Sequence, residues 1–272
     1  MRVRKAANRT GVRSIVKKAA STLTLSDLQR ELVRASDPHS ARDLAVFFKT
    51  GKGEYGEGDE FCGITVPELR KIAKRYLHLP LADVKKLLSS RVHEHRFTAL
   101  EILVFQFEAG DESAKKRVFD FYLKHARYIN NWDLVDTSAP YIVGEHLATR
   151  PRKVLYQLAK SSNMWERRIA IVATLAFIRS GDLKDTFGVA AVLLKDKQDL
   201  IHKAVGWMLR EAGKRSEPAM LNFLAQHYAS IPRTALRYAI ERLPQPQRKA
   251  ILKGLFTKPK EMLVWLPSSG RP

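Results

Sequence analysis

The segments Arg96-Phe-Thr-Ala-Leu, Trp132-Asp-Leu-Val-Asp136, Arg168-Ile-Ala-Ile-Val and Lys203-Ala-Val-Gly-Trp207 begin at intervals of 36, 36 and 35 residues. Each lies in a stretch whose apolar residues recur at three- and four-residue steps, the pattern of an amphipathic helix. Self-similarity at a period in this range is the signature of paired helices that stack into a solenoid. One pair cannot bury its apolar face alone, so each leans on its neighbours and the array curves. Equivalent helices then line one face. The residues that open the intervals are therefore expected on a common concave surface, which would carry Arg96, Trp132, Asp136, Arg168, Lys203 and Trp207.

Working outward, the same periodicity predicts helices over 66–76, 82–88, 95–107, 114–125, 132–147, 152–159, 164–178, 185–194, 201–212 and 217–228. No stretch alternates as a strand would. Short connections rich in Gly, Asp, Ser and Pro separate the helices, and Pro218 suits a first helical turn. The expected fold is all-α, a superhelical solenoid of repeats that resemble HEAT or armadillo repeats. We place it over residues 23–258, between a basic tail (1–22) and a C-terminal tail (259–272).

Lys and Arg number 48 against 28 acids, a formal net charge of +20. Such an excess costs self-repulsion in the compact state, and a polyanion would offset it. Nucleic acid fits best, because binding phosphates releases counterions. A membrane surface competes, but no strongly amphipathic basic helix with bulky apolar residues stands out. The first 18 residues hold seven Lys/Arg and no acid. They read as a tail, and the rest of the chain is still strongly basic. No apolar run is long enough to span a bilayer, and Met1-Arg-Val-Arg-Lys lacks a signal core. The single cysteine, Cys62, excludes an internal disulfide and agrees with a reducing, cytoplasmic compartment.

The segment Thr50–Gly63 interrupts the helices and contains Gly51-x-Gly53-x-x-Gly56. A dinucleotide fingerprint needs a strand before it and an apolar helix on its last glycine. Here a helix precedes it and acids fill it, so it reads as a glycine-rich loop. His93 and His95 are two apart, on different helix faces, which argues against a metal pair. Cys62 has no metal-ligand spacing, and Ser138 and His146 form no nucleophile elbow. Neither a metal nor a cofactor is expected.

The most unusual segment is Asn130-Asn-Trp-Asp-Leu-Val-Asp-Thr-Ser-Ala-Pro140. Asn131 suits an N-cap and Asp133 a first turn. Trp132 and Asp136 are four apart and share a helix face. Pro140 cannot donate to the Asp136 carbonyl, so the helix should kink there. Spacing alone leaves two readings open: a site, or a core tryptophan beside a capping or salt-bridged aspartate.

Several motifs resemble, in order and spacing, the DNA alkylation repair glycosylases of the AlkD type. They are Phe48-Lys-Thr-Gly-Lys-Gly-Glu-Tyr-Gly-Glu-Gly-Asp59 with Gly63-Ile-Thr-Val-Pro-Glu-Leu-Arg70; Trp132-Asp-Leu-Val-Asp136 with Pro140 and Gly144; Trp165-Glu-Arg-Arg168; and His202-Lys-Ala-Val-Gly-Trp207-Met-Leu-Arg210-Glu. The resemblance spans about residues 25–250. It implies a HEAT-like solenoid that hydrolyses the N-glycosidic bond of cationic alkylpurines in duplex DNA, for base excision repair. It puts the catalytic aspartate at Asp136, the site tryptophans at Trp132 and Trp207, and a DNA-contacting arginine at Arg168. The chain departs from the pattern at Ala176, where a basic residue is expected, at Asp199-Leu200, where an aromatic pair is expected, and at Phe47, an aromatic position here without a hydroxyl.

The implied chemistry suits these residues. A purine alkylated at N3 or N7 is cationic and leaves readily, so a carboxylate that stabilises the oxocarbenium-like sugar suffices. Trp132 and Trp207 would hold the cationic nucleotide by their ring faces. Phosphate contacts are expected among Arg168, Lys203, Arg210, Arg167 and Arg96, with Lys49, Lys52, Arg233 and Arg237 as further bases, each of which alone reads equally as solvated surface. Phe47 is expected against the DNA. A monomer is expected, without an obligate protein partner and without lyase activity. The alternative is a noncatalytic repeat module that binds nucleic acid or protein. Wherever nucleic acid is the partner, its phosphates predict that affinity for duplex DNA falls steeply with ionic strength, measured by anisotropy over a salt series; a flat response would contradict the phosphate-binding reading.

Overall fold

A computed structural model describes residues 23–256; the expected tails, 1–22 and 259–272, lie outside the described residues. Among the described residues the chain is all-helical, and its one β feature is an isolated parallel bridge between Glu60 and Val92. It divides into two compact units, Met1–His146 and Leu147–Pro272.

The first unit is built on helix His93–Ala109. Its apolar residues run around its whole circumference, so it has no solvent face. Phe97, Leu100, Ile102 and Leu103 are buried. Helices Val66–Arg75, Leu81–Leu88 and Glu112–Lys124 pack on it. Ahead of these come Leu25–Ala35, closed by a capping box between Thr24 and Asp27, and Pro38–Phe47, capped by Asp37 with Pro38 in its first turn.

The predicted helix over 132–147 is divided. An α-helix, Trp132–Asp136, is followed by a π-helical turn, Pro140–Gly144, and a short α-turn, Glu145–Leu147. The cause is the one expected: Pro140 has no N–H for the Asp136 carbonyl, and the amides of Tyr141 and Ile142 both reach back to Ser138 instead. Asn131 is the N-cap and accepts from the Trp132 amide at 2.8 Å.

The second unit is built on Asp199–Gly213, which packs against Met164–Val172, Lys184–Leu193, Glu217–Gln226 and Arg233–Ala239. Gly206 permits the closest of these crossings, since a Cβ there would stand 2.5 Å from the Ala235 carbonyl oxygen. Pro218 falls in a first turn, as expected. The predicted helix over 164–178 breaks in two, Met164–Val172 and Leu175–Ser180. At the break, the Thr174 hydroxyl donates to the Ile171 carbonyl at 2.7 Å. Such back-bonding competes with the helix ladder.

The glycine-rich loop is held by its own turns and has no dinucleotide geometry. Gly63 has φ +83° and lies so close to the chain that a Cβ would meet the Asp37 carbonyl oxygen at 2.1 Å. Gly53 has a similar φ, +80°, with nothing within 4 Å. Denaturant unfolding should therefore separate them. Gly53→Ala should cost about 1 kcal/mol, the left-handed penalty alone, and Gly63→Ala roughly 2 kcal/mol or more, because a steric clash adds to it. Equal losses would contradict the packing described.

Candidate functional site

The N-terminus of helix His93–Ala109 carries three buried polar side chains, and each ties a different segment to it. The Glu94 carboxylate accepts from the amides of Cys62 (3.0 Å), Gly63 (2.7 Å) and Ile64 (3.4 Å). His93 Nε2 lies 2.8 Å from Asp133 Oδ2, and its Nδ1 lies 3.4 Å from Asp59 Oδ2. Arg96 Nη2 pairs with Asp59 at 2.6 Å, while its Nη1 donates to the carbonyls of Ser90 (2.9 Å) and Arg91 (3.0 Å). The glycine-rich loop, through Asp59, and helix Trp132–Asp136, through Asp133, thus meet on one imidazole.

Burial works against a charged His93, but the hydrogen bonds to Asp133 and Asp59 outweigh it and raise its pKa. For Asp59, burial pushes upward, and the hydrogen bond from His93 with the Arg96 charge more than reverses it, so the carboxyl sits below its ordinary range.

Ring packing continues the connection. Phe61 stacks on His93 at 4.7 Å, Phe48 on Phe61 at 5.1 Å, and Phe48 on Trp132 at 5.4 Å with 20° between planes. Phe47 meets Trp132 edge-on at 6.0 Å and is itself 61% exposed. Trp132 and Asp136 are both half-buried, one helical turn apart. Asp136 lies close enough to Tyr122 that its charge adds to the burial that drives the Tyr122 hydroxyl's pKa upward. Phe48, Phe61, His93, Glu94 and Asp133 also line a cleft of 330 Å³.

In the second unit Trp207 is half-buried and lines a cleft of 380 Å³. Lys203 pairs with Asp199 at 2.9 Å, and Arg210 pairs with Glu241. Arg168 is 5% exposed and donates to the Leu200 carbonyl. Ala176 is buried.

Two of the expected phosphate contacts are engaged inside the chain. Arg96 is 3% exposed, and its guanidinium serves Asp59 and two carbonyls inside the first unit. Arg167 pairs with Asp196, whose side chain is 4% exposed, and donates to the carbonyls of Ser161 and Ser162 at 2.9 Å each. Both are internal clamps on neighbouring loops. The partners, Asp59 and Asp196, lie far away in sequence, and nothing in the periodicity points to them.

Sequence reasoning passed over His93 and Glu94 except as a poor metal motif. The usable signal is two ionisable residues opening a long helix that carries apolar residues on every side. Cys62 is a loop thiol whose pKa is raised by burial and then by the Glu94 charge, which disfavours the thiolate. Among the described residues, no three His, Cys, Asp or Glu side chains group as a metal site.

The family model described as DNA alkylation repair enzyme matches residues 28–243. No curated protein matches the chain. A solved structure described as a predicted DNA alkylation repair enzyme from Enterococcus faecalis is similar at a TM-score of 0.63 and 17% identity, over 77% of this chain and 97% of that one. At that identity the likeness is one of fold.

The buried imidazole makes stability depend on pH. A raised folded pKa for His93 stabilises fully below the unfolded value, 6.5, and is lost as pH rises through the folded one. The lowered Asp59 acts oppositely, being present above 3.8 and lost as pH falls through its folded value. His93→Gln should therefore lower the thermal midpoint most between these limits, and the gap to wild type should narrow as pH rises above neutrality. A gap unchanged across that range would contradict the charged hub.

Proposed function

The chain belongs to the DNA alkylation repair enzyme family, and on that premise we propose that it is a monofunctional DNA glycosylase acting on cationic 3- and 7-alkylated purines in duplex DNA. The C1′–N bond breaks with its electron pair passing to the purine, which neutralises the charge that alkylation placed there. The base therefore leaves without a general acid. Positive charge develops at C1′, and water adds there and gives up a proton to solvent.

Asp136 supplies the negative charge that this step needs. A fixed carboxylate beside a developing cation acts without reorganisation at the moment of reaction. Trp132 presents an aromatic face to the cationic nucleotide, and Phe48 stacked on it at 5.4 Å keeps the indole from turning away. The observation that carries this reading is the pairing of Trp132 and Asp136 on one turn, in a helix anchored through Asp133 to buried His93. Trp207 we assign to the same cation-binding role. Lys203 and Arg210 we assign to the backbone phosphates, and Arg168 to the same role although it is 5% exposed and donates to the Leu200 carbonyl, so that it would have to exchange that partner for a phosphate. Phe47, exposed beside Trp132, is assigned to contact with the DNA. No cofactor or obligate protein partner enters the reaction, and a monomer suffices for it. Among the described residues no helix is long and apolar enough to cross a membrane.

Release of 7-methylguanine and 3-methyladenine from methylated duplex DNA tests this. Wild type should free base, and Asp136→Asn should lose about two orders of magnitude in rate or more while still binding DNA. Binding without release by wild type would leave the noncatalytic repeat module as the better reading. Full activity in Asp136→Asn would remove the assignment of the carboxylate.

A further inference from the structure

The cleft of 330 Å³ lined by Phe48, Phe61 and Asp133 has no part in the reaction proposed above. All of its lining residues belong to the first unit. Its volume is in the range of small-ligand sites, which are mostly apolar with a few polar groups that fix orientation. The floor is buried, with Phe97 at 1% and Glu94 at 2% exposure, whereas Asp43, Thr65 and Val66 form an exposed rim.

Local structure builds both parts. Helix Pro38–Phe47 supplies Asp43 and Leu44, and Phe48 follows as its C-cap. The left-handed turn at Gly63 carries the chain from Phe61 to Ile64, and Thr65 opens helix Val66–Arg75 as an N-cap whose hydroxyl makes no cap bond. The walls are thus rings and aliphatic chains.

The charges decide what such a cleft accepts. The chain carries 48 Lys and Arg, yet among the described residues that line the cleft there is neither. Glu94 is engaged by the loop amides of Cys62, Gly63 and Ile64, and Asp133 is engaged by His93. The N-termini of helices Val66–Arg75 and His93–Ala109 would favour an anion, but Glu68 and Glu94 answer them in their first turns. Asp43 is then the charge that a ligand meets. Its ion pair with His39, at 3.7 Å on the surface, holds it weakly. A phosphate would be repelled here, and a cation with an apolar body would be matched at both ends.

We propose that this cleft binds a small organic cation with a flat apolar body, the body among Phe48, Phe61 and Phe97 and the cationic group on Asp43 at the rim. Phe48 also stacks on Trp132 at 5.4 Å, so the occupant rests on the ring that backs the indole.

The test is a titration of the full chain, without DNA, by ligand-observed saturation-transfer NMR. Benzamidine is the probe and benzamide its neutral counterpart. Benzamidine should bind saturably, and about threefold tighter or more than benzamide. Asp43→Asn should remove that preference while benzamide still binds as before, a pattern that a misfolded variant cannot mimic. Asp120→Asn, which changes an exposed carboxylate of the same unit outside the cleft, should keep the preference. No saturable binding of benzamidine, equal affinity for the two compounds, a preference that survives in Asp43→Asn, or one that is lost in Asp120→Asn would each overturn the proposal. No base release enters these measurements, so they stand or fall apart from the glycosylase reading.

Discussion

The first unit depends on one buried ionic cluster, in which His93 bridges Asp133 and Asp59 while Arg96 closes on Asp59. Charges in so apolar a place are costly to desolvate, and their mutual attraction does little more than compensate. What they contribute is specificity of arrangement. Removing one partner leaves an uncompensated buried charge, at a cost of about 3–5 kcal/mol. Three segments, the glycine-rich loop, the start of helix His93–Ala109 and helix Trp132–Asp136, are thereby fixed in one geometry. Glu94 completes the cluster by accepting three successive loop amides, which would otherwise be buried without partners.

This anchoring explains how a helix of five residues can hold the pair proposed as the site. A helix that short has almost no intrinsic stability. Asn131 caps it, Asp133 fastens its first turn to His93, and the π-helical turn after Pro140 leads away from it. Trp132 and Asp136 ride on that frame, one turn apart. Phe48 links the indole ring back to Phe61 and His93, so the aromatic stack and the ionic cluster support the same element.

Much of this was legible in the sequence where the determining interactions are local. The helices, the Asn131 cap, the break at Pro140 and the shared face of Trp132 and Asp136 follow from spacings of four residues or fewer. The partners of Arg96 and Arg167 are hidden in the sequence for the opposite reason. As bases on helix faces these arginines look like phosphate contacts, and only the folded chain brings Asp59 and Asp196 to them. His93 was invisible for the same reason, since its partners come from two other segments. The Thr174 break turns on a side-chain bond that a hydrophobic period does not register.

In the proposed reaction a cationic leaving group removes the need for an acid, so that one well-placed carboxylate would be enough machinery. That claim is tested most directly by affinity for a transition-state mimic. A duplex with a cationic pyrrolidine abasic analogue should bind wild type tighter than one with neutral tetrahydrofuran, and Asp136→Asn should lose that preference while retaining the neutral ligand. Equal affinity of wild type for the two duplexes, or a preference that survives in Asp136→Asn, would contradict the role assigned to Asp136.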